Sequence, residues 1–303
     1  MDYSRIVEAM VLGLIQGLTE FLPISSSAHL RIAGLFLPGA TDPGATFTAI
    51  TQIGTELAVI LYFARDIGNI IRSWFLSVFS RGKASGRTLT PEQRAEARLG
   101  WYIIAGTIPI GVVGILLQDT IRETFRSLWL IAATLIVFGV LLYLADRLGR
   151  NKRVMREMSA GHGIAIGLAQ TLALIPGVSR SGATISMARA LGYEREAAAR
   201  FAFLLAIPAV LASGFYELYT AIKESSAVGW YAYTPLSAEM YVVRPYSWLE
   251  TLTATTVAFV VGLAVIAFLM RYLKTRSFLP FVIYRIALGG TLLALLGAGV
   301  IQA

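Results

Sequence analysis

Two stretches decide the fold: GLIQGLTEFLPISSSAH at residues 13–29 and GLAQTLALIPGVSRSGA at residues 167–183. They align without a gap at an offset of 154 residues, with identities at Gly13/Gly167, Leu14/Leu168, Gln16/Gln170, Leu18/Leu172, Ser25/Ser179 and Ser27/Ser181. Apolar helices match one another by chance, so the Gln/Ser/Ser match is the telling part. Each stretch starts as an apolar helix and is then interrupted. Pro23 and Ser25-Ser26-Ser27 break the first; Pro176-Gly177 and Ser179-Arg180-Ser181-Gly182 break the second. A simple membrane crossing needs roughly 20 mostly apolar residues. The segments 5–31 and 162–192 therefore read as pairs of half-helices with polar residues between them. The same offset pairs Phe47/Phe201, Ile53/Ile207, Leu57/Leu211 and Ala58/Ala212, and an offset of 150 pairs Arg126-Ser127 with Arg276-Ser277 and Gly139 with Gly289.

The rest of the chain is membrane protein too. Of its 303 residues 56% are hydrophobic and 15% charged, against about 45–50% and 25% in a soluble domain; mean hydropathy is +0.67. A soluble globule of this length could not hide so much apolar surface. Zero cysteines exclude thiol catalysis, Fe–S clusters and Cys-ligated zinc. Six stretches fit simple crossings: about 47–64, 99–118, 128–146, 201–220, 250–270 and 280–301. Segment 5–31 is a poor signal peptide, because it carries Glu8, Gln16 and Glu20 and lacks a basic start.

The net charge of +8 is read by location rather than as a nucleic-acid footprint, and no nucleic-acid partner is expected. Segment 65–98 holds seven Lys/Arg, 147–160 holds five and 271–279 three, whereas 32–46 has none and 119–127 and 221–249 have two each. The positive-inside rule puts the first group in the cytoplasm. Trp230, Tyr231, Tyr233, Tyr241, Tyr246 and Trp248 suit the outer interface. With that constraint 162–192 starts and ends inside, and if 5–31 starts outside, as its weakly charged start (Asp2, Arg5) permits, both broken segments are re-entrant hairpins entering from opposite faces. The expectation is an all-α polytopic protein, a single membrane domain over 1–303, with six transmembrane helices and two re-entrant helical hairpins. Its halves, 1–150 and 151–303, form an inverted-topology repeat. Such layouts place polar sites near the midplane, and irregular backbone survives there only where it lines a cavity. The two motifs are thus expected to meet in one pocket.

The pocket residues suggest phosphate chemistry. Ser179, Ser181 and Thr184 supply hydroxyls, and a helix beginning near Gly182 would offer free N–H groups to an anion. Arg180 adds a permanent planar charge suited to phosphate oxygens; the bland reading is a snorkelling or ion-paired Arg beside capping serines. Gln16 and Glu20 share a helix face. Glu20 can be a metal ligand, a general base or a structural partner of Arg180. Ser26 is a nucleophile if a base sits beside it, and a cap otherwise. His29 neighbours the serine run, and His162 lies near the basic loop as an interfacial residue. Glu56 could line the same cavity, with Arg285 snorkelling or pairing with it. There is no GxxxxGK[ST] loop, which argues against nucleotide-driven transport.

The chain closely resembles the undecaprenyl pyrophosphate phosphatase (bacitracin-resistance) family. The carriers are Gln16-Gly17-Leu18-Thr19-Glu20-Phe21-Leu22-Pro23 with Ser25-Ser26 and His29, then Pro176-Gly177-Val178-Ser179-Arg180-Ser181-Gly182-Ala183-Thr184, and Phe278-Leu279-Pro280-Phe281 through Tyr284-Arg285. The resemblance runs nearly end to end. It implies hydrolysis of a C55 polyprenyl diphosphate lipid to the monophosphate, recycling the carrier for cell-wall synthesis. It also implies a divalent cation, Mg²⁺ or Ca²⁺, and a plasma-membrane location with the pocket open to the outer, periplasmic face. By position Glu20 and Gln16 match the metal or base residues, with Gln16 a weaker neutral ligand. Ser26 matches the proposed nucleophile, and His29 the acid/base or alternative nucleophile. Ser179, Arg180, Ser181 and Thr184 match the phosphate-binding motif, and Ser25, Ser27 and Gly177 beside them are expected as further phosphate contacts. Ala28 stands where glycine is usual. Ser26, His29 and metal-bound water all stay open as attacking group.

The other lipid-phosphate phosphatase class, with Lys-x6-Arg-Pro and Ser-Arg-x5-His, fits poorly, because Ser179-Arg180 has no histidine at that spacing. The rival from another class is a polyprenyl-phosphate transporter or flippase using the same pocket, since paired hairpins in inverted repeats are transporter architecture. The helical glycines permit a homodimer but are too common in membrane bundles to argue for one.

Overall fold

A computed structural model of the chain describes residues 3–36, 44–79, 89–117, 127–228 and 246–301. Most of the aromatic cluster expected at the outer interface (Trp230, Tyr231, Tyr233, Tyr241) and Arg81, Lys83, Arg87, Arg122 and Arg126 lie outside these residues. The described residues form eleven α-helices and no strands. In order they are α1 (Tyr3–Thr19), α2 (Ser26–Gly34), α3 (Ala45–Tyr62), α4 (Ala64–Phe79), α5 (Pro91–Leu116) and α6 (Leu128–Leu148). There follow α7 (Ala160–Thr171), α8 (Arg180–Ala190), α9 (Arg195–Val228), α10 (Trp248–Tyr272) and α11 (Leu279–Gly297). Five of these, α5, α6, α9, α10 and α11, are long and apolar enough to cross a membrane; α3 with α4 makes a sixth if that bent pair is counted as one span.

Helix ends overrun the apolar runs where capping extends them into polar sequence. α5 starts at Pro91 rather than 99 because Thr90 and Gln93 form a reciprocal capping box with Pro91 at the first position. Ser247 and Glu250 do the same for α10. One expectation fails. The segment after the first crossing, read as a basic loop from 65, is helical to Phe79, turned 77° from α3 at Phe63. Its pattern explains this. Ile70, Ser73 and Trp74 face α5, where Trp74 meets Trp101 at 5.3 Å, while Ile71, Phe75 and Phe79 recur every fourth residue on the exposed face. A basic count finds the loop but not an amphipathic helix inside it.

Packing relies on small residues, since lipid offers helices no hydrophobic drive to associate. Gly13 of α1 lies against α10 so closely that a Cβ there would sit 2.4 Å from the Ala254 carbonyl oxygen. Arg5 pairs with Glu250 at 3.3 Å, and Tyr246 donates to Glu8, fastening the same two helices at their ends. Burial and then the Glu8 carboxylate push the Tyr246 phenol pKa above its ordinary value, which keeps it a donor. Contacts recur when the halves are exchanged: α1 packs on α10 as α7 packs on α5, and α3 on α10 as α9 on α5. At one end of the bundle Asp146 of α6 accepts from Arg189 Nε (2.9 Å) and Arg195 Nε (2.8 Å), joining α6, α8 and α9.

Candidate active site

Both interrupted segments are helix–turn–helix breaks of the same local shape. α1 ends at Thr19 and α2 starts at Ser26; α7 ends at Thr171, continues as a 3-10 turn to Leu174, and α8 starts at Arg180. Arg180 is thus the first helical residue, two places ahead of the expected start. In each break the N-cap serine has a positive φ, 75° at Ser25 and 73° at Ser179, a conformation that non-glycine residues seldom adopt. Ser179 Oγ accepts from the Gly182 N–H at 3.1 Å, and Ser25 Oγ from Ala28 N–H at 3.4 Å. Each capping hydroxyl also meets the serine two places on, Ser25 with Ser27 and Ser179 with Ser181, both at 3.1 Å.

The breaks meet on Glu20. Its Oε2 accepts from Ser26 Oγ at 2.6 Å and from Gln16 Nε2 at 2.7 Å. Its Oε1 takes an ion pair from Arg180, so one carboxylate joins the hydroxyl of one hairpin to the guanidinium of the other. Ser181 Oγ reaches the Leu22 carbonyl at 3.3 Å. Glu20, Glu56, Arg180 and Ser181 line a small cavity with Phe21, Val59, Ala202, Phe203 and Ala206; at ≈ 10 Å³ it holds about one water. Ser26 and Arg180 are half-buried and Ser25, Ser179 and Ser181 buried.

Other expected residues are directed elsewhere. The Thr184 hydroxyl turns back on its own helix, donating to the Arg180 carbonyl at 2.8 Å. Gly177 serves the backbone: its φ is +90°, and a Cβ would stand 2.0 Å from Thr134 Oγ1. Thr134 in turn donates to the Pro176 carbonyl at 2.8 Å. His29 Nδ1 lies 2.7 Å from the Ser25 carbonyl, which only accepts, so Nδ1 carries the proton; Nε2 then accepts from the Tyr284 hydroxyl at 2.7 Å. His162 contacts Tyr193 (2.8 Å) and Arg153 (3.4 Å) beside the basic segment.

Arg285 is the residue the sequence reading misplaced. It neither snorkels nor pairs with Glu56 but is wholly buried. Its guanidinium donates to the carbonyls of Pro23 (3.0 Å), Gly177 (2.9 Å), Val178 (3.1 Å) and Leu135 (3.2 Å). The rigid five-donor fork therefore clasps both hairpin breaks: the Pro23, Gly177 and Val178 carbonyls lie in the breaks, outside any helix, and Leu135 lies on α6. Tyr284, also passed over, sits beside it on α11. A Tyr-Arg pair inside an apolar helix was the available signal, since intramembrane charge defaults to function.

The chain is thus a polytopic helical membrane protein in which two broken hairpins assemble a serine–carboxylate–arginine cluster. The chain belongs to the family described as Bacitracin resistance protein BacA, whose model matches residues 9–291. A Micrococcus luteus protein named Undecaprenyl-diphosphatase is 58% identical over 98% of this chain and 99% of its own length. One of the same name from Clavibacter michiganensis is 56% identical over the same shares, and Agrobacterium fabrum has an Undecaprenyl-diphosphatase 2 that is 50% identical over 98% of both chains.

Proposed function

We infer that this chain hydrolyses undecaprenyl diphosphate to undecaprenyl phosphate and inorganic phosphate, returning the carrier lipid to cell-wall synthesis. The near-full-length relatives with that name support the reaction; the transporter alternative finds no support among them. The observation that carries the mechanism is the 2.6 Å hydrogen bond from Ser26 to a Glu20 carboxylate that also holds Arg180. A nucleophile and base within such reach are what covalent catalysis requires.

In this reading Ser26 Oγ attacks the terminal phosphorus while its proton passes to Glu20. The bridging P–O bond breaks, and undecaprenyl phosphate leaves with the electron pair and that proton. Water then attacks the seryl phosphate and gives its proton to Glu20; the P–Oγ bond breaks and Oγ recovers the proton as phosphate departs. Arg180 and the first-turn N–H groups of α2 and α8 hold the phosphate oxygens. Ser26 is preferred to His29 because both His29 nitrogens are engaged, by Ser25 and Tyr284. Arg285 is a positioning residue for both turns.

Gln16 and Glu20 would hold the divalent cation, Mg²⁺ or Ca²⁺, whose chemistry here is neutralisation of phosphate charge. The donor set fits: Gln16 is buried with an unpartnered Oε1, and hard cations take amide and carboxylate oxygens. Among the described residues no group of three or more His, Cys, Asp or Glu converges, so substrate oxygens and water would supply further ligands.

The same reading makes the two broken segments re-entrant hairpins and the halves an inverted repeat. The twin positive-φ serine caps and the recurring helix contacts support it. The basic segments face the cytoplasm and the pocket opens to the outer face of the plasma membrane. The test is phosphate release from undecaprenyl diphosphate by detergent-purified protein. Wild type turns over with Mg²⁺ or Ca²⁺ and stops in EDTA, and Arg180→Ala loses turnover while staying folded; full activity in Arg180→Ala would overturn the site assignment.

A further inference from the structure

Glu56 lies on α3, outside both hairpin motifs, yet it shares the Glu20–Arg180 cavity. It is 1% exposed, and its Oε1 has no hydrogen-bond partner. Gln16, 0% exposed, gives its Nε2 to Glu20 and likewise leaves Oε1 without a partner. Two buried oxygens therefore stand without partners, one bonded through its amide to Glu20 and one lining the same cavity. Arg180, the cation of the cavity, is paired with Glu20. A buried carboxyl oxygen without a donor raises the free energy of the fold. A ligand that relieves it must present positive charge or protons to oxygen, and the cavity has room for an ion or a water beside both carboxyls.

We propose that Glu56 is a ligand of the divalent cation, supplying from α3 the second carboxylate that Gln16 does not supply from α1. This rests on the Gln16–Glu20 cation reading above. Glu20 alone is a poor cation site, because two of its acceptor positions are taken by Gln16 and Ser26 and a third by Arg180. Affinity for a hard cation follows the number of charged oxygens around it. With Glu56 the set becomes two carboxylates and an amide oxygen from two helices. The site then also ties α3 to α1, so cation binding should stiffen the contact between them.

The test is calorimetric titration of EDTA-stripped, detergent-purified protein with Ca²⁺, without substrate, together with the Ca²⁺-dependent rise in thermal midpoint. Glu56→Gln should weaken Ca²⁺ binding at least about tenfold, the smallest loss expected even for a residue that only supports a metal ligand. The double variant Gln16→Glu/Glu56→Gln should regain most of the affinity, since the carboxylate count is restored. Should Glu56→Gln not fold, Glu56→Met removes both oxygens at similar length; it should fold at least as stably as wild type without Ca²⁺ and show no Ca²⁺ rise in midpoint. Glu56→Gln binding Ca²⁺ within twofold of wild type, while Glu20→Gln loses it, would overturn the role of Glu56 and leave the Gln16–Glu20 reading standing. Wild type that binds no Ca²⁺, Mg²⁺ or Mn²⁺ would overturn both, with phosphate release in EDTA then deciding the reaction separately.

Discussion

Replacing Arg285 with lysine tests whether one buried guanidinium holds the two hairpin breaks in register. Arg285 reaches four carbonyls on three elements at 2.9–3.2 Å. Lysine brings three donors from a single point and cannot span them. At least one carbonyl is then left buried and unpaired, and a hydrogen bond to a charged group contributes about 1.5–3 kcal/mol. Losing one or two, with partial relaxation, destabilises the fold by about 3 kcal/mol, which in a chain of this size lowers the thermal midpoint by about 5 °C. The catalytic loss should be larger in proportion. The clasped carbonyls belong to Pro23, Gly177 and Val178, directly before the Ser25 and Ser179 turns, and a shift of about 1 Å in reacting groups costs about a hundredfold. The assay is phosphate release at saturating substrate alongside a thermal melt in detergent, with Ca²⁺ affinity as the control that should hardly move. Turnover within threefold of wild type and an unchanged midpoint would refute the clasp.

Gly177→Ala places a Cβ 2.0 Å from Thr134 Oγ1 at a φ of +90°. Left-handed strain of about 1–2 kcal/mol and overpacking of about 1–3 kcal/mol together predict a clear drop in thermal midpoint, whereas Ala at Gly290, which has no neighbour within 4 Å, should leave it nearly unchanged. Tyr284→Phe removes the donor to His29 Nε2; a neutral hydrogen bond of about 0.5–1.5 kcal/mol predicts a turnover loss of about twofold to tenfold, and a loss above a hundredfold would mean that the phenol acts on substrate directly.

The sequence and the structure agree most closely where chemistry forces a short-range signal. The serine runs after Pro23 and Pro176 announced interrupted helices, and both are interrupted. That the breaks would meet followed from the repeat, and Glu20 with Arg180 realises it through an ion pair between residues 160 positions apart. The apolar runs located the long apolar helices but not their ends, because caps such as Thr90–Gln93 continue a helix into polar sequence. Helix α4 escaped notice because basic residues in its neighbourhood outweighed the fourfold spacing of Ile71, Phe75 and Phe79. The partners of Arg285 were illegible for a different reason. They are main-chain carbonyls, and the sequence does not show which carbonyls a break will free. Thr184 looked like a phosphate donor by type and spacing, yet a threonine inside a helix commonly bonds the carbonyl four residues back, as it does here.

In the proposed mechanism Ser26, activated by Glu20, attacks the terminal phosphate. Undecaprenyl diphosphate labelled on its terminal phosphate, mixed with wild type and quenched in acid, tests it most directly. Label should appear on a Ser26-containing peptide during turnover, and Ser26→Ala should show neither label nor more than a thousandth of wild-type phosphate release while still binding substrate. Rapid phosphate release by folded Ser26→Ala, at a tenth of the wild-type rate or above, would contradict the account and pass the attack to His29 or to water.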